Sequence, residues 1–225
     1  MNSDMRGIKR NNRGFSLAEL IIVIAIMGIL VGALSPMYMK YVDKTKKSKD
    51  LHTADEIARA VNIAFIENPD AYDAFLNWHS NSVRYNVSAT VNGVTENYKV
   101  FLVAANDDSY GNAVHCFKGK ESAFYGPGGR NDGSTGFYGC VNRELGLSTT
   151  KVNTSIVPNY TKGKTDPEGF RRNDGRLYPY TEVDRWRICK REDNNMLEIW
   201  VSQPNPHGGY PIYRLWPNPD DEYTK

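Results

Sequence analysis

Between Phe15 and Met39 the chain is apolar apart from a single charge, Glu19. A helix crosses a hydrocarbon core of about 30 Å with about 20 apolar residues. The run meets that length, so a single membrane-spanning helix is the first expectation. Upstream lie Arg6, Lys9, Arg10 and Arg13, against Asp4 alone. Basic residues just before a span favour a cytoplasmic N-terminal side and place the remainder on the far side. Lys40, Lys44, Lys46, Lys47 and Lys49 follow the span, so the charge bias is two-sided and orients the helix only weakly.

Glu19 is the anomaly. An acid at the centre of a bilayer helix costs about 2.5–3.5 kcal/mol on insertion scales, and intramembrane acids tend to have a partner. In the first turn it sits where the helix dipole favours negative charge. The border between leader and span reads Gly14-Phe15-Ser16-Leu17-Ala18-Glu19. That pattern resembles the N-terminal signal of type IV pilins and of the pseudopilins of type II secretion systems, over roughly the first 50 residues. Ser16 and Ala18 stand where the family more often has Thr and Ile or Val, both small changes.

The resemblance implies cleavage by prepilin peptidase after Gly14, N-methylation of Phe15 and assembly through Glu19. Cleavage would free the Phe15 amine, whose unperturbed pKa of about 7.7–8.0 keeps it largely ammonium at neutral pH. In the resembling family this amine pairs with the acid of a neighbouring subunit and sets the stagger of assembly. Methylation preserves the charge. While the leader is attached, Phe15 carries an amide and offers Glu19 no charge, so leader removal switches on assembly competence. An ordinary secretory signal peptide is the competing reading. Ala33-Leu34-Ser35 offers small residues for a cut, but Pro36 follows, the apolar run is long, and Glu19 is out of place.

Gly28, Gly32 and Pro36 are spaced four apart. Glycines at that spacing let membrane helices approach closely, and proline removes one backbone hydrogen bond. Gly28 to Pro36 is therefore the expected weak stretch of the helix, a point of flexibility.

Past the span, Leu51, Ala54, Ile57, Ala58, Val61 and Phe65 recur at helical spacing, with Lys49, Asp50, Asp55 and Glu56 off that stripe. This predicts that the helix continues as an amphipathic segment to Ile66 or Glu67 and stops at Asn68-Pro69. A short helix is expected over 70–78. Val83, Tyr85, Val87, Ala89 and Val91 alternate with polar residues and lead into Asn92-Gly93, a hairpin signal, with a return strand over 94–104. Residues 106–176 are rich in Gly, Asn, Asp and Ser and read as loops, with short strands at 113–117 and 136–142. A second hairpin is expected from 181–190 and 196–202, an edge strand at 211–216, and a loose tail at 217–222.

The organisation expected is thus a basic leader, 1–14, the membrane half of a spine helix, 15–39, its amphipathic half, 40–67, and an exported head, 68–225. The fold class expected is α+β, the spine helix packed on an antiparallel sheet.

The chain of 225 residues carries +2, and loss of a leader with four basic side chains and one acid would bring it to −1. A nucleic-acid binder driven by net charge needs a basic footprint, so none is indicated. Cys116, Cys140 and Cys189 have no C-x-x-C spacing, which argues against zinc. One disulfide among them and three buried thiols are both compatible with the sequence.

The Gly-rich segment Tyr125 to Gly133 lacks the Gly-Lys-Ser or Gly-Lys-Thr of a phosphate loop and reads as a surface loop. Asp107, Asp108 and Asp132 have no calcium-loop spacing. His52, His79, His115 and His207 are scattered, and Trp186, Trp200 and Trp216 read as core. No catalytic residue, cofactor or metal is expected.

The expected function is that of a structural filament subunit, a type IV pilin or a pilus-like one. The partners the resemblance implies are prepilin peptidase, a membrane assembly platform driven by an ATPase, the membrane, and like subunits. Two other readings stay open: a pseudopilin of type II secretion or DNA uptake, and a membrane-anchored surface binding domain.

Overall fold

The computed structural model describes residues 15–77, 86–104, 117–118, 124, 134–147, 156–160, 183, 185–191, 193–202 and 211–225. The chain divides into two compact units, Met1–Asp43 and Lys44–Lys225.

Helix α1 spans Leu17–Glu67 in one run and includes Pro36. The predicted start and stop both hold to within two residues. At its C-terminal end Asn68 turns its side chain back, Nδ2 donating to the Ala64 carbonyl at 2.9 Å. Pro69 then opens α2 (Pro69–Leu76), where its missing N–H costs nothing because the first helical N–H has no partner anyway.

Five strands form one path in the order β1-β2-β4-β5-β6: β1 (Asn86–Val91), β2 (Val94–Ala104), β4 (Arg185–Arg191), β5 (Leu197–Ser202) and β6 (Pro211–Trp216). The short β3 (Phe117–Lys118) pairs with the far end of β2 on the edge that β1 uses, opposite β4, and every pairing is antiparallel. β1 pairs from Asn86↔Lys99 to Val91↔Val94 across a two-residue turn. Both turn residues lie in the left-handed region, Asn92 at φ 49° and Gly93 at φ 81°, which matches strand twist in tight hairpins. The hairpin, the second hairpin β4–β5 and the edge strand β6 were all legible in the sequence. The expectation for residues 83–85 lies outside the described residues, as does that for 113–116.

The core of the larger unit lies between α1 and one sheet face. Ala54, Ile57, Ala58, Val61, Ala64 and Phe65 of α1 share a buried cluster with Trp186, Ile188, Ile199, Val201 and Leu215. The α+β class, with helix on antiparallel sheet, is therefore observed.

Three expectations need correction. Residues 136–142 are not a strand but open helix α3 (Gly136–Glu144). Phe137, Tyr138, Cys140 and Val141 are all buried, a helical and not an alternating set. The helix ends in a Schellman motif, with Gly146 at φ 65°, Leu147 N–H donating to the Asn142 carbonyl and Gly146 N–H to that of Arg143. Secondly, residues 217–222 are not a loose tail. Asp220 caps a last helical turn, α4 (Asp221–Thr224), accepting from Glu222 N–H. Tyr223 is buried edge-on against Tyr160 and Tyr213, which ties the segment down. Thirdly, Asp50 belongs to the buried side of α1 and not to its polar side.

Candidate functional site

The start of α1 is built by its own first residues. Ser16 N–H donates to Glu19 Oε2 at 2.8 Å, and Glu19 N–H donates to Ser16 Oγ at 3.2 Å. This reciprocal pair is a capping box, which satisfies two of the amide donors left over at a helix N-terminus. Glu19 is thus held in the first turn by Ser16, a role for Ser16 that the sequence reading missed although Ser-x-x-Glu ahead of an apolar run signals it. Phe15 is 89% exposed. Gly14 lies outside the described residues.

Beyond the cap, each residue from Phe15 to Tyr41 is exposed. An 18-residue window of α1 reaches a mean hydropathy of 2.7, so the helix is long and apolar enough to cross a membrane. A Cβ added at Gly28 or Gly32 would meet nothing within 4 Å. Among the described residues their smallness serves no packing. An apolar helix exposed all round needs lipid or other helices about it.

Residues 9–35 match the prokaryotic N-terminal methylation motif. The N-terminal segment carries that motif and is similar to type IV pilins. The pilin-type similarity extends beyond the motif. The chain is 29% identical to the type IV major fimbrial protein FimA of Dichelobacter nodosus over 76 residues, 34% of this chain and 49% of that protein. It is 32% identical to the fimbrial protein EcpC of Eikenella corrodens over 100 residues, 44% of this chain and 61% of that protein. It is 38% identical to the type IV major pilin protein PilA of Myxococcus xanthus (strain DK1622), over 29% of this chain and 30% of that protein. The chain spans about half the length of the FimA relatives it matches. No solved structure matches it significantly.

Within the larger unit, the part of α1 from Lys44 onward is held by polar contacts as well as by its apolar stripe. The fully buried Asp50 carboxylate accepts from Asn159 N–H at 2.7 Å, Asn159 Nδ2 at 2.8 Å and Tyr160 N–H at 2.8 Å. Burial pushes its pKa up, and the hydrogen bonds to Asn159 and Tyr160 pull it back part of the way. Lys47 Nζ lies 3.1 Å from Glu222 Oε1, which also accepts from Tyr160 Oη at 2.7 Å. The sequence offered no signal for these contacts, since their partners are more than 100 residues away.

The remaining candidates resolve into structure. Cys140 and Cys189 carry free, buried thiols, so no disulfide joins them. Cys140 lies on α3 and Cys189 on β4. Cys116 lies outside the described residues. Burial, then a hydrogen bond to Glu67, pushes the Cys140 thiol up to about 11. Ligand atoms of Glu67, Cys140 and Glu144 lie within 4.8 Å of one another. Arg143 already sits among them, 2.6 Å from Glu67 Oε2, 3.3 Å from Cys140 Sγ and 3.4 Å from Glu144 Oε1. A guanidinium supplies the positive charge there, and the cluster reads as an ion network.

On the sheet a shallow cleft is lined by Asn92, Glu96, Arg191, Met196, Glu198 and Arg214. Buried Glu198 accepts from Trp200 Nε1 at 2.8 Å and from Arg214 Nη1 at 3.1 Å, while Arg191 pairs with Glu96. Each charge in the cleft already faces an opposite one. Trp186 and Trp200 are fully buried and Trp216 partly so, in keeping with a core role. His52 is exposed beside Glu56, at 3.6 Å. His79, His115, His207, Asp107, Asp108, Asp132 and residues 125–133 lie outside the described residues.

Proposed function

We propose that this chain is a structural subunit of a type IV pilus or pilus-like filament, without catalytic activity of its own. The observation that carries the reading is the Ser16–Glu19 cap at the mouth of a fully exposed apolar helix, within the methylation motif of residues 9–35. In this reading prepilin peptidase cuts between Gly14 and Phe15, and the new Phe15 amine is methylated. The helix is held in the cytoplasmic membrane with the larger unit outside.

The cap engages one oxygen of the Glu19 carboxylate through Ser16 N–H. In the filament the Phe15 ammonium of a like subunit competes for the same carboxylate. Its attraction is stronger in a low-dielectric helix bundle than in water. A membrane assembly platform would deliver subunits to that arrangement.

The test is the N-terminal mass of the protein from its native cells. Phe15 as first residue, bearing one methyl group, is expected. A first residue at Met1, or following Ser35, overturns the reading. Glu19→Ala supplies the second arm. It removes the acid without touching the larger unit, so filaments should be lost while the protein stays in the membrane.

A further inference from the structure

The shallow cleft on the sheet holds more acid than base. Arg191 serves three carboxylates: it pairs with Glu96, and its guanidinium lies 3.0 Å from Asp193 Oδ1 and 3.8 Å from Glu198 Oε1. Arg214 adds a second guanidinium, 3.1 Å from Glu198 Oε1. Three carboxylates therefore share two arginines, a balance of −1. Burial pushes the Glu198 carboxyl up further than Arg214, Trp200 and Arg191 pull it back. Val94 and Met196, 57% and 41% exposed, line the same cleft with Pro217. Exposed apolar groups over an acid-rich floor suit a side chain with an apolar stem and a cationic end, as in lysine.

The same end of the larger unit carries lysines to match. Asp221 N–H donates to Asn92 Oδ1 at 3.1 Å, and Asn92 lines the cleft. The next residue, Glu222, pairs with Lys47 of α1. Lys44, Lys46 and Lys49 stand within three residues of Lys47, or about 5 Å along a helix. All three are exposed, and none has an ion pair among the described residues, although Lys49 acts electrostatically on Asp50. The ion pairs described for the cleft carboxylates run to arginines of the same chain.

We propose that this cleft receives a lysine of a second copy of the chain, one of Lys44, Lys46 and Lys49. Its ammonium meets Asp193 and Glu96, and its methylenes lie on Val94 and Met196. The proposal rests on the filament reading above and names a contact between heads that the reading leaves open. Cleft and lysines lie at one end of the larger unit, so copies set side by side bring them together. They are different surfaces, and each copy offers both. A contact of that heterologous kind can repeat into an open helical assembly, whereas a self-complementary patch stops at a dimer.

The test treats filaments from the native cells with a water-soluble carbodiimide, which joins a carboxylate to an ammonium in direct contact with it. Covalent dimers should form. Mass spectrometry of the dimer should find Asp193 or Glu96 joined to Lys44, Lys46 or Lys49, in peptides that the monomer lacks. Lys47 and Glu222, 3.1 Å apart within one chain, should be joined in monomer and dimer alike and serve as the reactivity control. Asp193→Asn leaves two carboxylates for two arginines. It should lower the dimer yield several-fold at an unchanged yield of the Lys47–Glu222 bond. Dimers joined only through other residues, or undiminished in Asp193→Asn, overturn the proposal and leave the filament reading standing. So does a bond from Asp193 or Glu96 to a lysine of another protein. Native cells without filaments of this chain would overturn both.

Discussion

Asp50 shows what a single residue can hide from a helical-periodicity argument. It falls beside the apolar stripe, yet it is fully buried because two backbone N–H groups and one side-chain amide from a distant loop need an acceptor there. Orphaning a buried donor costs about 1–3 kcal/mol, so Asp50→Ala should lower stability by about 2 kcal/mol or more in thermal melting. Asp50→Asn tests the charge. Burial raises the folded-state pKa above the ordinary 3.8. The carboxyl's contribution is therefore fully present below that value and is lost as pH rises through the folded value. The asparagine variant cannot titrate, so its deficit against wild type should be larger at about pH 4 than at about pH 7. A deficit that grows with pH would mean that the hydrogen bonds outweigh desolvation. Cys140 offers a simpler check. With its thiol buried and pushed up to about 11, alkylation at pH 8 should be slow in the native protein and fast once it is unfolded.

Elements were legible where their pattern was local. The apolar run, the stripe after it, Asn92-Gly93 and the strands of the second hairpin each carry a period or a turn signal that needs no partner. α3 was not legible, because Gly136 and Gly139 interrupt an aromatic and β-branched run that reads equally well as a strand. The structure shows why Gly139 is needed. A Cβ there would come 2.7 Å from the Ser134 carbonyl oxygen, a backbone atom that cannot swing aside. At Gly93 a Cβ meets nothing within 4 Å, and only the left-handed φ of 81° opposes it. Gly93→Ala should therefore cost about 1–2 kcal/mol, the backbone penalty alone. Gly139→Ala should cost more, since the clash must displace α3 or the segment before it. Denaturant unfolding of the two variants gives the order, and the reverse order would contradict the packing at Ser134. α4 was missed for a different reason. A single buried aromatic, Tyr223, holds it, and one residue has no period. Tyr223→Ala should cost about 3–5 kcal/mol, as truncating a core aromatic does.

For the whole molecule, the N-terminal helix and its start were more legible in the sequence than the head, because they rest on a local pattern and the head on distant contacts. The division into Met1–Asp43 and Lys44–Lys225 has a physical counterpart. Every buried α1 residue lies at Asp50 or beyond, within the larger unit. Gly28 and Gly32 make this separable by experiment. Among the described residues neither glycine packs against another, because an added Cβ meets nothing within 4 Å. Glycine in mid-helix costs roughly 1 kcal/mol relative to alanine, and no contact among the described residues accounts for the pair. Close approach of neighbouring helices does. Gly28→Leu with Gly32→Leu should leave membrane insertion intact and the melting temperature of the larger unit unchanged. Filament yield by electron microscopy should fall, because leucine forces the helices apart where glycine let them meet. Full yield of normal filaments would show that the helices do not meet there, and Pro36, with its missing backbone hydrogen bond, would then carry the flexibility of that stretch alone.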